Sequence, residues 1–449
     1  MTKRILIFFF IVLQFSILLN TLVADTLNNC VFLPERYFPE LDRVLRDLDG
    51  QAPELAVRQA YIDAAIQGEA IAAAKKLPNA TVELNLLHRQ EFRDEDPKHQ
   101  TTTQPFARAY FSQAIYHWGA IDANREISRI RKLIERGHYR ETYRHLLIDV
   151  RRTFLDIIYK QEEISVQQEH LEILRKHYET AQRNAAQNQV SSNVLQESKI
   201  LLDYGLLTQE RLQHELEYLQ EEFARKTGST TPIVAGALDT IEPLNDLHTD
   251  PTAIDQPAFD TLPLEPSMAL LNVERYLDIE KENDTIIHSS MRPKINLVGE
   301  VFRDQISSAG SDNVDRMLAQ VALNVSWNIF DGWETTHRRL QNKAHQRRLR
   351  AEAEQLRAQQ RIECKRLHRT RQLILKEIAI SKRRMRLSEA QVKTAELTFN
   401  SGSLTLSQLM EAVNTQHQHN LQHTRLKINY LMNTIQLLSL YGQDPILED

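Results

Sequence analysis

The seventeen residues from Met317 to Trp333 read MLAQVALNVSWNIFDGW, and their alternation decides how the rest of the chain is read. Met317, Ala319, Val321, Leu323, Val325, Trp327 and Ile329 fall on one face of a period-two pattern. Leu318, Gln320, Ala322, Asn324, Ser326, Asn328 and Phe330 fall on the other. One face is wholly apolar and the other mostly polar or small, the signature of a strand with unlike sides. A run of this length can cross a bilayer as a tilted strand, which takes about 9–11 residues. A half-buried strand of a soluble sheet carries the same pattern, so both readings stay open at this point.

Three weaker strands accompany it. Val82, Leu84 and Leu86 alternate with Thr81, Glu83 and Asn85; Phe106 to Ile115 alternates loosely; Ile295, Leu297 and Val301 share a face with Gly299. Polar stretches at Arg93 to Gln104 and Gln305 to Asp315 read as loops between the strands of each pair.

A shift of 214 positions lays the chain on itself. Ile115 falls on Ile329, Val190 to Leu195 falls on Leu404 to Leu409, and Gly228 falls on Gly442. Stacked repeats have periods of roughly 20–50 residues, so this is a duplicated half-molecule and not a solenoid. The boundaries are a leader at 1–24, a first repeat at 25–228, a Pro-rich connector at 229–265, a second repeat at 266–442 and a tail at 443–449. Each half opens with a helix beside a proline, Glu54 to Lys76 after Pro53 and Ser267 to His288 after Pro266. Two strands, a very long helix, a break and a second helix follow.

The long helices carry coiled-coil spacing. Leu147, Val150, Phe154, Ile157, Ile164 and Leu171 advance by threes and fours, with Gln161 and Gln168 in the remaining slots. Ile374, Ile378, Met385, Val392, Ala395 and Phe399 do the same 200 residues on. From Ala120 to about Ala186 there is one glycine, Gly137, and no proline. At 1.5 Å per residue such a helix extends roughly 100 Å, a length suited to a conduit.

Composition closes off other classes. Only 12 Gly and 14 Pro punctuate 449 residues, and a net charge of −5 gives no reason to expect nucleic acid. The basic stretch from His337 to Arg386 is interrupted by Glu352, Glu354, Glu363 and Glu377, and reads as a solvated face or as intersubunit pairing. Lys3 and Arg4 precede an apolar run, Ile5 to Leu19, with a cleavage point after Ala24, which reads as an export signal. Cys30 follows Asn28 and Asn29, ten residues past that run, and is read as unmodified and unbridged to Cys364. His417, His419 and His423 have no HExxH or cysteine partner and are expected to face solvent, not a metal. No nucleophile elbow, phosphate loop or zinc motif is present; neither catalysis nor a cofactor is expected.

Several ordered features then carry a family resemblance. Phe399-x-x-Gly402, the polar turn after it, Leu409 and Ala412, Asn429-Tyr430-Leu431, Tyr441-Gly442 and the strand ending Ile329-Phe330-Asp331-Gly332 resemble the TolC family of outer-membrane efflux proteins. So does the duplication, over about residues 40 to 442. The resemblance implies a mainly α fold with transmembrane β: a trimeric α/β-barrel duct to which each chain gives four strands and two tandem long coiled-coil helical hairpins. It implies an outer-membrane location extending into the periplasm of a Gram-negative type envelope. A homotrimer, outer-membrane lipid, a periplasmic adaptor and an inner-membrane pump would be its partners, the pump supplying the energy. The helical turns would be the periplasmic entrance, with Asn188, Val190, Ser191, Gly402, Ser403 and Leu404 as adaptor contacts. Gln408, Glu411 and Glu197 are the gate candidates; Gln408 departs from the family's acid, and a carboxylate ring at Glu411 would favour cations. A periplasmic adaptor and a secreted coiled-coil filament are the alternative readings; the second requires no strands.

Overall fold

The computed structural model describes residues 33–93, 96–187, 191–229, 264–306, 314–401 and 403–448. The leader, Cys30, Asn188, Val190, Gly402 and nearly all of the 229–265 connector lie outside these residues. In order, the elements are a 3-10 turn (Pro34–Arg36), α1 (Pro39–Gln51), α2 (Pro53–Ala74), β1 (Asn79–Arg93), β2 (Asp96–Tyr116), α3 (Ala120–Ala186) and α4 (Ser192–Thr227). The second half follows with α5 (Met268–Ser290), β3 (Lys294–Ile306), β4 (Val314–Ser326), α6 (Glu334–Asn400), α7 (Leu406–Leu440) and α8 (Pro445–Glu448). Helices α3 and α6 are both 67 residues long and start 214 positions apart. The chain divides into two compact units, each drawing on both halves: the described parts of Met1–Val57, Tyr139–Ser267 and Ala358–Asp449, and Arg58–His138 with Met268–Arg357.

The second unit holds a four-stranded antiparallel sheet in the order β1-β2-β3-β4. Its register puts Val82, Leu84 and Leu86 opposite Ala109, Ala107 and Pro105, then Ala109 opposite Val301. Val301, Gly299, Leu297 and Ile295 then meet Ala319, Val321, Leu323 and Val325. One face is thus apolar across all four strands. The other carries Arg108 bridged to Glu300 at 2.5 Å and Gln320 donating to Glu300 at 2.9 Å. A soluble sheet covers its apolar face, yet here Leu84 and Leu86 are each 77% exposed and Val321 71%. Burying such a face in lipid recovers roughly 25 cal/mol per Å² that water does not, and the apolar-out, polar-in pattern is that of a barrel strand. No helix among the described residues is long and apolar enough to cross a membrane. Four strands also set aside the filament reading.

Glycine 299 sits under a ring. A Cβ there would lie 1.7 Å from the Phe111 ring, its partner across the β2–β3 ladder. The aromatic covers the backbone that the missing side chain leaves bare.

The strands are longer than the polar composition of their ends suggested. The loop expected at Arg93 to Gln104 is mostly strand, because β2 starts at Asp96, opposite Arg93, and after an irregularity pairs residue by residue from Gln100 opposite Glu91 onward. Ladder hydrogen bonds are made by the backbone, and the β-branched Thr101-Thr102-Thr103 run favours extension whatever its polarity. In the second pair β3 reaches Ile306 and β4 resumes at Val314, so that loop is shorter than Gln305 to Asp315.

Strand turns into helix by the same backbone device twice. Trp118 (φ 54°) and Gly119 (φ 83°) precede α3, and Gly332 (φ 65°) and Trp333 (φ 70°) precede α6. The four residues match under the 214-residue offset with tryptophan and glycine exchanged. A bulky residue at positive φ is rare, so the elbow is held by packing: the Trp118 indole N–H donates to the Pro293 carbonyl at 2.8 Å, and the Arg292 guanidinium stacks on its ring.

Candidate functional site

The first unit contains the described ends of both helical hairpins, where the family resemblance implies the entrance. Its helices pack in the order α4–α3–α7–α6. Lys160 bridges α3 to Glu215 of α4 at 2.7 Å, Asp156 of α3 accepts from Arg425 of α7 at 2.6 Å, and Arg371 of α6 donates to the Tyr430 hydroxyl of α7 at 3.0 Å. The heptad positions do bury. Leu147, Val150, Phe154, Ile157 and Leu171 are in the core from α3, as are Ile374, Ile378 and Val392 from α6. Gly205 of α4 lies so close to Leu171 and Leu174 that a Cβ would come within 2.9 Å of both.

The turn into α7 is built by a capping box. The Thr405 hydroxyl accepts from the Gln408 backbone N–H at 3.4 Å, and Gln408 Oε1 accepts from the Thr405 backbone N–H at 3.0 Å. Leu404 and Leu409, on either side of the box, join Val392, Val413 and Phe399 in one apolar cluster, a hydrophobic staple. Thr405, not the neighbouring Ser403, is the cap. Gln408 therefore has a local reason to be glutamine: its amide oxygen ties the helix start. On the α4 side Ser191 occupies the N-cap position without a side-chain bond to the helix.

The remaining candidates are brought to the same region by different helices. Glu411 lies one turn into α7 and Glu197 one turn into α4; both are exposed. A groove of about 410 Å³ is lined by Ala390, Thr394 and Thr398 of α6, spaced by four, with Leu404 and Gln408.

The histidines correct an expectation. His417, His419 and His423 do not face solvent: His423 is buried and the other two are half-buried. Alternate apolar positions of α7 meet α3 on one side and α6 on the other, so few of its faces remain free. Among the described residues no group of ligand side chains could hold a metal. Burial lowers the pKa of His170 below the ordinary histidine value, and neighbouring His417 lowers it further. Burial likewise depresses His417, with Glu169 at 3.8 Å opposing, and His177, with Glu197 opposing. The unfolded chain titrates near 6.5. The stability these neutral imidazoles permit is thus complete above about pH 6.5 and is lost as pH falls through the depressed values. Purified protein should melt a few degrees lower at pH 5.0 than at pH 7.5, and His170→Gln with His417→Gln should shrink that difference.

Sequence reasoning missed the polar heart of this unit. Arg151 is fully buried, donates to both Glu35 oxygens and to both Asp444 oxygens, and so joins α3 to the chain's first and last described segments. Burial alone would lower its pKa, but the two carboxylates more than offset that and hold the guanidinium charged. The available signal was Arg151 lying next to the seam position Val150, a charge on a buried face.

Comparison with known proteins agrees with this construction. The family model described as "Outer membrane efflux protein" matches residues 44–188. Among curated proteins none matches the chain in sequence. In fold, the outer membrane channel CmeC of Campylobacter jejuni superposes with a TM-score of 0.70 at 13% identity, over 90% of this chain and 85% of that one. The outer membrane protein VceC of Vibrio cholerae gives 0.67 at 10% identity, over 91% and 97%. The open state of the MtrE outer membrane channel of Neisseria gonorrhoeae gives 0.66 at 14% identity, over 90% and 89%. The resemblance to the TolC family is therefore one of sequence over residues 44–188 and of fold over nine-tenths of the chain. The outer membrane is the location that goes with both.

Proposed function

We propose that this chain is the passive exit duct of a tripartite efflux or type I secretion system, assembled as a homotrimer. The observation that carries the reading is the uncovered apolar face of a sheet whose outer strands, β1 and β4, each have an unpaired side. Lipid accepts the face, but no unsatisfied backbone edge, so the strands must close with those of other copies. Three copies of four strands give the twelve-stranded barrel that the family resemblance implies.

The hairpin ends are the periplasmic entrance in this reading. A periplasmic adaptor engages Ser191, Ser403, Leu404 and the groove along Ala390, Thr394 and Thr398, together with Asn188, Val190 and Gly402. Glu411, supported by Glu197 from α4, lines the opening and draws cations; Gln408 caps its helix instead of charging the pore. An inner-membrane pump bound through the adaptor supplies the energy. The adaptor reading of this chain itself has less support, because an adaptor inserts one hairpin between halves of a small β-domain, whereas here each of two hairpins follows its own strand pair.

One preparation tests the whole reading. Outer-membrane fractions should yield heat-sensitive trimers that conduct in planar bilayers with cation preference, and Glu411→Gln should abolish most of that preference. A soluble monomer sinks the duct; unchanged selectivity in Glu411→Gln sinks only the carboxylate ring.

A further inference from the structure

Helix α6 carries 18 Lys and Arg against 7 Glu, whereas its counterpart α3 carries 13 against 11 Asp and Glu. Within the first unit the excess lies on one exposed side of α6: Arg369, Lys376 and Arg383 recur every seven residues, with Lys365 and Arg386 flanking them. None of these five makes an ion pair with another described residue of its own chain. Beside them runs an apolar seam at the same spacing, Leu373, Ile380 and Leu387, each at least 50% exposed. It is separate from the buried seam of Leu367, Ile374 and Ile378 that meets α7.

Helix α4, at the other edge of the α4–α3–α7–α6 array, carries the opposite arrangement. Ser198, Gly205 and Leu212 bury one side of it. Ile200, Tyr204, Leu207 and Tyr218 leave a second apolar seam open, each more than 60% exposed. Arg211 and His214 fill the two middle positions of that seam. Along its border Asp203, Glu210 and Glu217 recur every seven residues, all exposed; Glu217 has only His214 of its own helix at 3.3 Å.

We propose that the α4 edge of one copy docks against the α6 edge of a second copy, with Glu210 facing Arg383 and Glu217 facing Lys376 across a shared apolar seam. Two open edges of unlike charge on one chain make a head-to-tail contact, which closes into a ring when the rotation fits. The inference rests on the trimeric reading above and adds its register. Intrachain contacts supply the level. Glu215 meets Lys160, Asp156 meets Arg425, and Tyr430 meets Arg371. Stepping along these antiparallel neighbours puts Glu215 near position 380 of α6, hence Glu210 near 385 and Glu217 near 378. Each is within one turn of its proposed cation, and charged residues flanking an apolar seam set which partner and register are chosen.

Cross-linking between differently tagged chains tests the seam. In a Cys30→Ser, Cys364→Ser background, one chain carries Glu210→Cys and the other Arg383→Cys, and a short bismaleimide is added. A product bearing both tags is expected, with a second from Glu217→Cys and Lys376→Cys. Arg383→Glu with Lys376→Glu should lower trimer yield at least tenfold, and adding Glu210→Lys with Glu217→Lys should restore it. Trimers that form without either cross-link, or that tolerate the charge reversal, overturn the seam and leave the trimeric reading standing. A monomeric parent chain overturns both.

Discussion

Val321→Arg should empty the outer membrane of this protein. Val321 lies near the middle of β4 on the apolar face, opposite Gly299, where no neighbouring side chain covers it. If that face meets lipid, an arginine near the bilayer midplane costs about 2–4 kcal/mol, and each copy brings one. Every 1.4 kcal/mol is about tenfold in an equilibrium, so the heat-sensitive trimers should fall by well over tenfold. Asn324→Arg, on the opposite face of the same strand, is the matched control and should cost no more than about 0.5 kcal/mol. The contrast separates lipid from water as the medium. A surface arginine on a soluble sheet would leave both variants like the parent, and that outcome, measured by trimer yield in outer-membrane fractions, would overturn the barrel.

The same face shows what the amino-acid order can and cannot disclose. Period-two alternation at Met317 to Ile329 was plain, but alternation is a property of a strand, not of its surroundings. Whether Val321 looks at protein or at lipid depends on what packs over it, and the assembled sheet shows that this chain itself leaves it uncovered. The first long helix is legible almost to the residue, because a seam sustained over about seven turns and a matching one in the second half leave few alternatives. Helix α1 is hard to read from the sequence, although Leu41, Leu45 and Leu48 give it a buried stripe. At 13 residues it is too short to stand out by periodicity beside helices of 67. The histidines of α7 misled for a related reason: polar residues on a helix are read as solvated, but a helix flanked on two sides turns polar positions inward as well. Among the entrance candidates, Gln408 is legible as a cap because Thr-x-x-Gln is a local motif, whereas the surroundings of Glu411 depend on copies of the chain beyond this one.

Arg151→Met should be the most damaging single change in the helical unit. Its guanidinium satisfies Glu35 and Asp444 together, and all three side chains are nearly inaccessible to solvent. Replacing a buried ion group by apolar residues can be neutral, but removing one member strands the others. Two carboxylates left without a cation cost about 3–5 kcal/mol by the same reasoning, against a typical domain stability of about 5–15 kcal/mol. The damage should have a place as well as a size. Glu35 belongs to the segment leading into α1, and Asp444 caps α8 through the Ile446 backbone N–H at 3.3 Å. Both segments should therefore loosen from α3 and become sensitive to brief proteolysis, while the strands keep their protection. Arg151→Lys retains the charge but cannot present a planar fork to two carboxylates at once, so it should rescue only part of the loss. The triple variant Arg151→Met, Glu35→Leu, Asp444→Asn removes the stranded charges and should recover most of the melting temperature. If Arg151→Met melted with the parent, the triad would be a bystander, and the apolar packing of Leu41, Leu45 and Phe154 would have to hold the first and last described segments alone.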